Sequence, residues 1–144
     1  MTHLRDASLE DLDACKGQIS EVVFRRARHV ISENTRCLKF ADALGKSHLE
    51  IAGKLMVESH NSLKNDYEVS CAELDFLVEK LMQDKDVIGA RMTGGGFGGS
   101  VIALVKDNRV PKLISWLCRE YRSQFNMDAT CFVTRACGGA HSIH

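Results

Sequence analysis

One stretch of the sequence, TGGGFGGSVIALV at residues 93–105, constrains the fold of this chain more than any other. Five of the six residues from 94 to 99 are glycine, and the run that follows them is almost entirely apolar. Such an apolar run is typical of a buried strand, and DVIGARMT at 86–93 predicts another strand just before the glycines. The glycines are therefore predicted to connect two strands.

Three nucleotide-binding patterns can be compared with this loop: two match by letter but fail on their context, and the Walker A pattern matches only in the spacing of two glycines. Gly94, Gly96 and Gly99 satisfy G-x-G-x-x-G, but the dinucleotide fingerprint requires a helix directly after the loop. A Walker A loop requires Lys and Ser or Thr where Ser100 and Val101 stand. The protein-kinase glycine pattern fits as far as Val101, but its H-R-D and D-F-G partners do not occur downstream.

A plain hairpin connection without a ligand is the simplest remaining interpretation, because glycine adopts positive φ at little cost. About two or three glycines would suffice for such a turn. Five indicate that a ligand or another backbone segment approaches the loop closely, and this is the interpretation we favour.

Apolar periodicity and turn residues predict the other elements. Helices are expected over 20–44, over 47–65, from Ser70 onwards and after Pro111, and ATCFVT at 129–134 predicts a third strand. Helices followed by strand, strand, helix and strand give an α+β fold with a small, mostly antiparallel sheet of about three strands.

Two finer expectations concern the helices. The long helix should bury one stripe of its surface, made of Val23, Ala27, Val30, Cys37, Ala41 and Leu44. Capping boxes, in which a serine and an acidic residue three positions later satisfy the first amides of a helix, are predicted at Ser8 and Asp11, Ser47 and Glu50, and Ser70 and Glu73.

Composition excludes several classes of function. Lys plus Arg equals Asp plus Glu at 19 each, so no charge excess favours nucleic acid or an anionic membrane. No apolar stretch is long enough for a membrane span or a signal peptide, and six dispersed cysteines fit reduced thiols of a cytoplasmic protein. Cys137, His141 and His144 are three candidate zinc ligands, but a structural site needs a fourth, and we expect no metal.

Three segments together resemble one family. GARMTGGGFGGSVIALV at 89–105 closely resembles the third motif of the GHMP kinases, in the variant found in galactokinases. RRARHVISEN at 25–34 and LMVESHNSLKNDYEVSCAELDFLVE at 55–79 are also typical of galactokinases. The resemblance covers essentially the whole chain. Kinases of N-acetylgalactosamine, arabinose and mevalonate are weaker matches, and Phe97 mildly favours galactose.

The resemblance implies an ATP- and Mg²⁺-dependent enzyme that phosphorylates galactose at its 1-hydroxyl in a cleft between two domains. The first two motifs of the family are absent, so residues 1–144 correspond only to a ferredoxin-like C-terminal domain. The catalytic acid, the Mg²⁺ ligands and most sugar contacts belong to the N-terminal domain. The isolated chain is therefore expected to bind neither ATP nor Mg²⁺ tightly and to be inactive.

Site residues are carried over from the resemblance position by position. The loop on the substrate and phosphate side of the cleft is expected to consist of Thr93, Gly94, Gly95, Gly96, Phe97, Gly98 and Gly99. Asp66 and Tyr67 are candidate cleft-lining residues, for which a turn Asp and a Tyr at the rim of the core are equally good interpretations. His60 is expected to be packed or to cap a helix rather than to be catalytic, because the sequence does not reveal an acid or nucleophile as its partner.

Partners follow from the same resemblance. Galactose and the missing N-terminal domain are the expected partners of this chain. In the family, the first strand of the sheet precedes the segment that corresponds to Met1, which would leave a sheet edge open for self-association. The alternative from another class is a non-catalytic interaction or ligand-sensing module derived from a GHMP kinase.

Overall fold

The chain runs through a series of helices into a hairpin and then into a final helix. The computed structural model describes residues 3–135 and residue 138. Its main elements are α1 (Leu9–Ala14), α2 (Glu21–Gly45), α3 (Leu49–Ser62), a π-helical turn (Leu63–Tyr67), α4 (Ala72–Met82), β1 (Val87–Thr93), β2 (Ser100–Val105) and α5 (Val110–Phe125). The predicted α+β class is confirmed.

Strands β1 and β2 form an antiparallel pair whose register runs from Val87 opposite Val105 to Thr93 opposite Ser100. The register shifts between Val87 and Gly89, so β1 carries one extra residue there. Among the described residues these are the two strands of the sheet, whereas about three had been predicted.

The predicted strand at 129–134 is wrong. This segment follows α5 without joining the sheet, and the Sγ atom of Cys131 lies 3.6 Å from that of Cys118 on the helix. Phe132 remains 84% exposed. A strand exists only when another backbone offers it hydrogen bonds, and no described strand edge is paired with this segment, so its β-forming composition is not sufficient.

The core lies between the hairpin and the last two helices. Buried side chains of α4, β1 and α5 form one cluster, namely Val78, Leu81, Val87, Ala90, Leu113 and Leu117. Each apolar side chain buried in this way contributes on the order of 2 kcal/mol. The cluster holds the hairpin rigidly, and the glycine loop projects from the far end of that hairpin.

Helix α3 packs against β1 through two glycines. A Cβ atom on Gly53 would lie 1.9 Å from the carbonyl oxygen of Ile88, and one on Gly89 would lie 2.4 Å from the Cα of Gly53. Because successive strand positions face opposite sides, Gly89 faces α3 while Ala90 joins the cluster with α4 and α5. Strand β1 is therefore held on both sides.

The predicted stripe of α2 is wrong at several positions. Val23 and Leu44 are exposed, as is Cys37, and the buried side chains are Phe24, Ala27, His29, Ile31 and Ala43. The first half of the helix packs on α1, where Phe24, Ala27 and Ile31 form a cluster with Leu12. Ala27 is buried as predicted, whereas Phe24 and Ile31 are buried in place of Val23 and Val30 because they are the larger apolar anchors.

Of the predicted capping boxes, the one at Ser8 and Asp11 is confirmed. Helix α3 starts after His48 and α4 after Cys71, in both cases without a side-chain cap. Ser47 instead adopts φ +58° in the tight connection, and the Ser70 hydroxyl donates to Asp75. At these two helix starts the serine therefore does not provide the cap that the local sequence pattern predicts.

Candidate functional site

The glycine loop at 94–99 bridges the end of the hairpin in a conformation that requires glycine at several positions. Gly94, Gly96 and Gly98 have φ values of +83°, +83° and +107°, and Phe97 has φ +55°. Residues other than glycine rarely adopt φ values in this left-handed region. Phe97 is 75% exposed, so its ring contributes little to the core.

The glycines differ in what a side chain would meet. A Cβ on Gly96 would lie 2.2 Å from the carbonyl oxygen of Val69, and one on Gly99 would lie 3.2 Å from that of Thr93. Gly94 and Gly98 face open space but need positive φ, whereas Gly95 has neither a close neighbour nor a positive φ. Gly95 is therefore the one glycine of the loop that the conformation of this chain does not require.

The loop is attached to the connection between α3 and α4. The amide of Phe97 donates a hydrogen bond of 2.9 Å to the carbonyl oxygen of Val69, and the amide of Val69 donates to Leu63 at 3.1 Å. Val69 closely follows Asp66 and Tyr67, the two candidate cleft-lining residues. The structure thus places the two predicted site regions side by side, joined through the backbone of Val69.

Asp66 is held by ionic and hydrogen-bonding partners. Its carboxylate pairs with the guanidinium of Arg28 and accepts a hydrogen bond of 3.1 Å from the Ser62 hydroxyl. The Ser62 hydroxyl also lies 3.0 Å from Nδ1 of the buried His29, whose pKa is lowered mainly by burial. The carboxylate is thus anchored to other side chains of the protein.

Tyr67 lies at the surface beside this network. It is 38% exposed, and its ring centroid lies 4.7 Å from that of His29. The observed position agrees with a Tyr at the rim of the core and also leaves part of the ring available to a neighbour. Whether Asp66 and Tyr67 line a cleft stays a prediction.

Arg25, Arg26 and Arg28 bind the π-helical turn and the residue that follows it. This contact was not predicted from the sequence. Arg25 and Arg26 both pair with the carboxylate of Glu68, and they donate to the carbonyl oxygens of Asn65 and Asp66. These hydrogen bonds, chiefly the one from Arg26, lower the pKa of Glu68. The arginines therefore serve the fold internally.

His60 is packed in the interior, at 3% exposure, as predicted. Its Nδ1 atom accepts a hydrogen bond of 3.3 Å from the amide of Met92, and Nε2 lies 3.4 Å from a carboxylate oxygen of Asp75. Burial is the main cause that lowers the pKa of His60, and Asp75 opposes it. The acidic neighbour was not readable in the sequence because it comes from α4.

A second network behind the loop also escaped the sequence analysis. Glu33 on α2 pairs with Arg36 and with Arg91 of β1, and it accepts a hydrogen bond from the Ser59 hydroxyl of α3. Arg91 also donates to the carbonyl oxygen of Met92. The spacing of Glu33 and Arg36 indicated a helical ion pair, but the partners on other elements carry no sequence signal.

The described residues do not fit a metal ion. Residues 3–135 and 138 contain no group of three or more His, Cys, Asp or Glu side chains that could hold one. Cys137, His141 and His144 lie outside the described residues. Two surface depressions of the described chain, with volumes of about 290 and 380 Å³, lie near Asp84 and Arg109, next to the end of the hairpin that is remote from the loop. No helix of the described chain is long and apolar enough to cross a membrane.

Comparison with known proteins gives concordant matches. A family model described as GHMP kinases C terminal matches residues 40–123. Galactokinase of Bos taurus is 43% identical over 141 residues, which cover 98% of this chain and 35% of the bovine protein. Galactokinase of Homo sapiens is 43% identical over 137 residues, which cover 95% of this chain and 34% of the human protein.

A solved structure agrees with these sequence matches. The crystal structure of Lactococcus lactis galactokinase complexed with galactose matches this chain with a TM-score of 0.85 and 38% identity, over 90% of this chain and 34% of that one. The chain thus spans about a third of the length of the relatives it matches.

Proposed function

The chain belongs to the family of GHMP kinase C-terminal domains, and we propose that it is the C-terminal part of a galactokinase-like enzyme. The intact enzyme phosphorylates galactose at the 1-hydroxyl, with ATP as the phosphoryl donor and Mg²⁺ as the metal. The observation that carries the proposal is the glycine loop, in which Gly95 is not required by the packing or the backbone of this chain.

The chemistry of phosphoryl transfer gives the loop its role. Catalysis depends on positioning and on stabilising negative charge, which closely approaching backbone amides can provide. A residue at 95 without a Cβ leaves room for a phosphoryl group, a sugar or a loop of the N-terminal domain to reach the backbone. The loop residues 93–99, with Asp66 and Tyr67 beside them, are therefore assigned to one wall of the cleft.

This chain contributes that wall, and residues 3–135 and 138 contain no group of three or more side chains that could hold a metal ion. Because the described residues offer no metal-binding cluster, Mg²⁺ and the charge neutralisation it brings are assigned to the N-terminal domain. The isolated chain is inactive for the same reason. The non-catalytic module is not favoured, because the 43% identity to galactokinases extends over 98% of the chain.

An assay of ADP release with galactose and Mg·ATP tests the proposal. The 144-residue chain alone should release no ADP above a control without sugar, whereas the chain fused behind the N-terminal two thirds of human galactokinase should be active. Arabinose and N-acetylgalactosamine serve as competing sugars. Turnover by the chain alone contradicts its inactivity, and a folded but inactive fusion contradicts the kinase assignment.

Two further parts of the proposal concern partners and location. The edge of β2 opposite β1 is not paired with any described strand, and an open edge favours association with a second copy. Sedimentation of the isolated chain tests this, since a monomer at all concentrations contradicts it. The intact enzyme is proposed to act in the cytoplasm, which fractionation of cells expressing it would test.

A further inference from the structure

The contacts of the glycine loop outside the hairpin centre on Val69. Within the described residues, the bond from the Phe97 amide to the carbonyl oxygen of Val69 is the one that ties residues 94–99 to an element outside the hairpin. Gly96, the preceding residue, has no room for a Cβ against the same carbonyl group. The position of the loop therefore depends on the groups that fix the carbonyl group of Val69.

Val69 is held through its own amide, which donates to the carbonyl oxygen of Leu63 at 3.1 Å, and through the conformation of the preceding residue, Glu68. Glu68 ends the π-helical turn with φ +56°, in the left-handed conformation that turns the backbone from Tyr67 towards Val69. For a residue with a Cβ, this conformation costs about 1–2 kcal/mol. It persists because other groups compensate, and the groups that contact Glu68 are the guanidinium groups of Arg25 and Arg26.

We propose that Glu68, gripped by Arg25 and Arg26, is a positioning residue that fixes the glycine loop through the backbone of Val69. The two arginines bind one carboxylate and also hold the carbonyl oxygens of Asn65 and Asp66, so the whole turn is clamped onto α2. The importance of this clamp for catalysis rests on the proposed function. Its effect on the position of the loop does not.

A purely structural ion pair would behave differently. Exposed ion pairs contribute on the order of 0–1 kcal/mol to stability and affect no particular loop. Lys46 and Asp42 form such a pair on the same helix, at 2.9 Å, and provide a matched control. If Glu68 positions the loop, removing its carboxylate should weaken the hydrogen bond of the Phe97 amide selectively. That amide is the last group in the series of contacts that runs from the arginines through Glu68 and Val69.

Amide hydrogen exchange of the 144-residue chain, followed by NMR, tests this without sugar or nucleotide. The variant Glu68→Gln should accelerate exchange at Phe97 about tenfold, as expected when a local opening becomes easier. Exchange at Lys106, whose amide donates to Asp86 at the other end of the hairpin, should stay unchanged. The control Asp42→Asn should change neither amide.

A second variant distinguishes the contribution of the ion pairs of Glu68 from that of its backbone conformation. Glu68→Gly removes the carboxylate but also the cost of the left-handed conformation, so we expect Phe97 to exchange faster than in the unmodified chain and more slowly than in Glu68→Gln. The proposal is overturned if Phe97 keeps its protection in either variant, or if Phe97 and Lys106 accelerate equally.

The catalytic consequence is measured separately in the fused enzyme. There, Glu68→Gln should lower kcat more than it raises KM for galactose, because a displaced loop weakens contacts made in the transition state. A change in KM alone would contradict this. If the fusion has no kinase activity while Phe97 exchanges as expected, the proposed function fails and the clamp stands.

Discussion

Gly53 and Gly89 lie where α3 meets β1, whereas Gly94 and Gly95 lie in an open loop, and the two pairs are glycine for different reasons. At the helix–strand contact a Cβ would overlap backbone atoms at 1.9 and 2.4 Å. In the loop, neither Gly94 nor Gly95 has a neighbour within 4 Å of the missing Cβ. Glycine thus serves packing in the first region. In the second, Gly94 serves a positive φ of +83°, and Gly95 leaves the backbone accessible to something outside the chain.

The largest effect on stability is expected at the contact between α3 and β1. Gly53→Ala should lower the free energy of unfolding by about 3 kcal/mol, because the carbonyl of Ile88 cannot move without shifting β1. Urea denaturation measures this loss. Gly45→Ala is the matched control on α2, where a Cβ meets nothing within 4 Å, and its effect should stay within about 0.5 kcal/mol. Equal effects of the two substitutions would contradict the packing argument.

Smaller effects on stability are expected in the loop, and they should differ from one glycine to another. Gly96→Ala should cost about 2 kcal/mol, because it combines a strained φ of +83° with a contact to the carbonyl of Val69. Gly95→Ala should change stability by less than about 0.5 kcal/mol. Thermal or urea unfolding of the two variants side by side checks this order, and a larger loss for Gly95→Ala would show that the chain needs that glycine for itself.

Buried histidines behind the loop predict a pH dependence. Because burial lowers the pKa of His60, the unfolded chain binds this proton at a higher pH than the folded chain does. Stability is therefore complete above about pH 6.5, the pKa of unfolded histidine, and it decreases as pH falls from there through the lowered pKa. Asp75, Lys64, Glu79 and Arg91 also act on this imidazole, but burial is the largest influence.

The substitution His60→Asn tests that dependence. Asparagine keeps an acceptor for the amide of Met92 but cannot take up a proton, so the slope of stability against pH below about 6.5 should become shallower. Part of the slope should remain, since burial also lowers the pKa of His29. The exposed His48 provides the control His48→Asn, which should leave the slope unchanged. An unchanged slope in His60→Asn would contradict the assignment.

Features set by local sequence were predicted well. The glycine loop, both flanking strands, the long helix and the capping box at Ser8 follow from short-range patterns, and the structure contains all of them. Periodicity could not select the buried face of α2, because Val23 and Phe24 are both apolar and the packing on α1 decides between them. The strand at 129–134 failed for a related reason, since strand pairing depends on a partner far along the chain.

Features set by distant contacts were missed. Glu68 and the arginines that grip it are separated by 42 and 43 residues, and Arg91 is 58 residues from Glu33. Each of these side chains is unremarkable in its own segment of sequence. The same holds for His60 and Asp75, which come from α3 and α4 and meet only in the folded chain. The loop was recognised from the sequence, whereas the contacts that position it became visible only in three dimensions.

The central claim is that Gly95 is kept free for an approach from outside the chain, and one measurement tests it most directly. In the fusion with the N-terminal part of human galactokinase, Gly95→Ala should lower kcat/KM for galactose about a hundredfold, the order expected from a small misplacement at a reacting centre. The melting temperature should stay that of the unmodified fusion. Unchanged kcat/KM in a folded, active fusion would contradict the claim and would make the loop a plain hairpin connection.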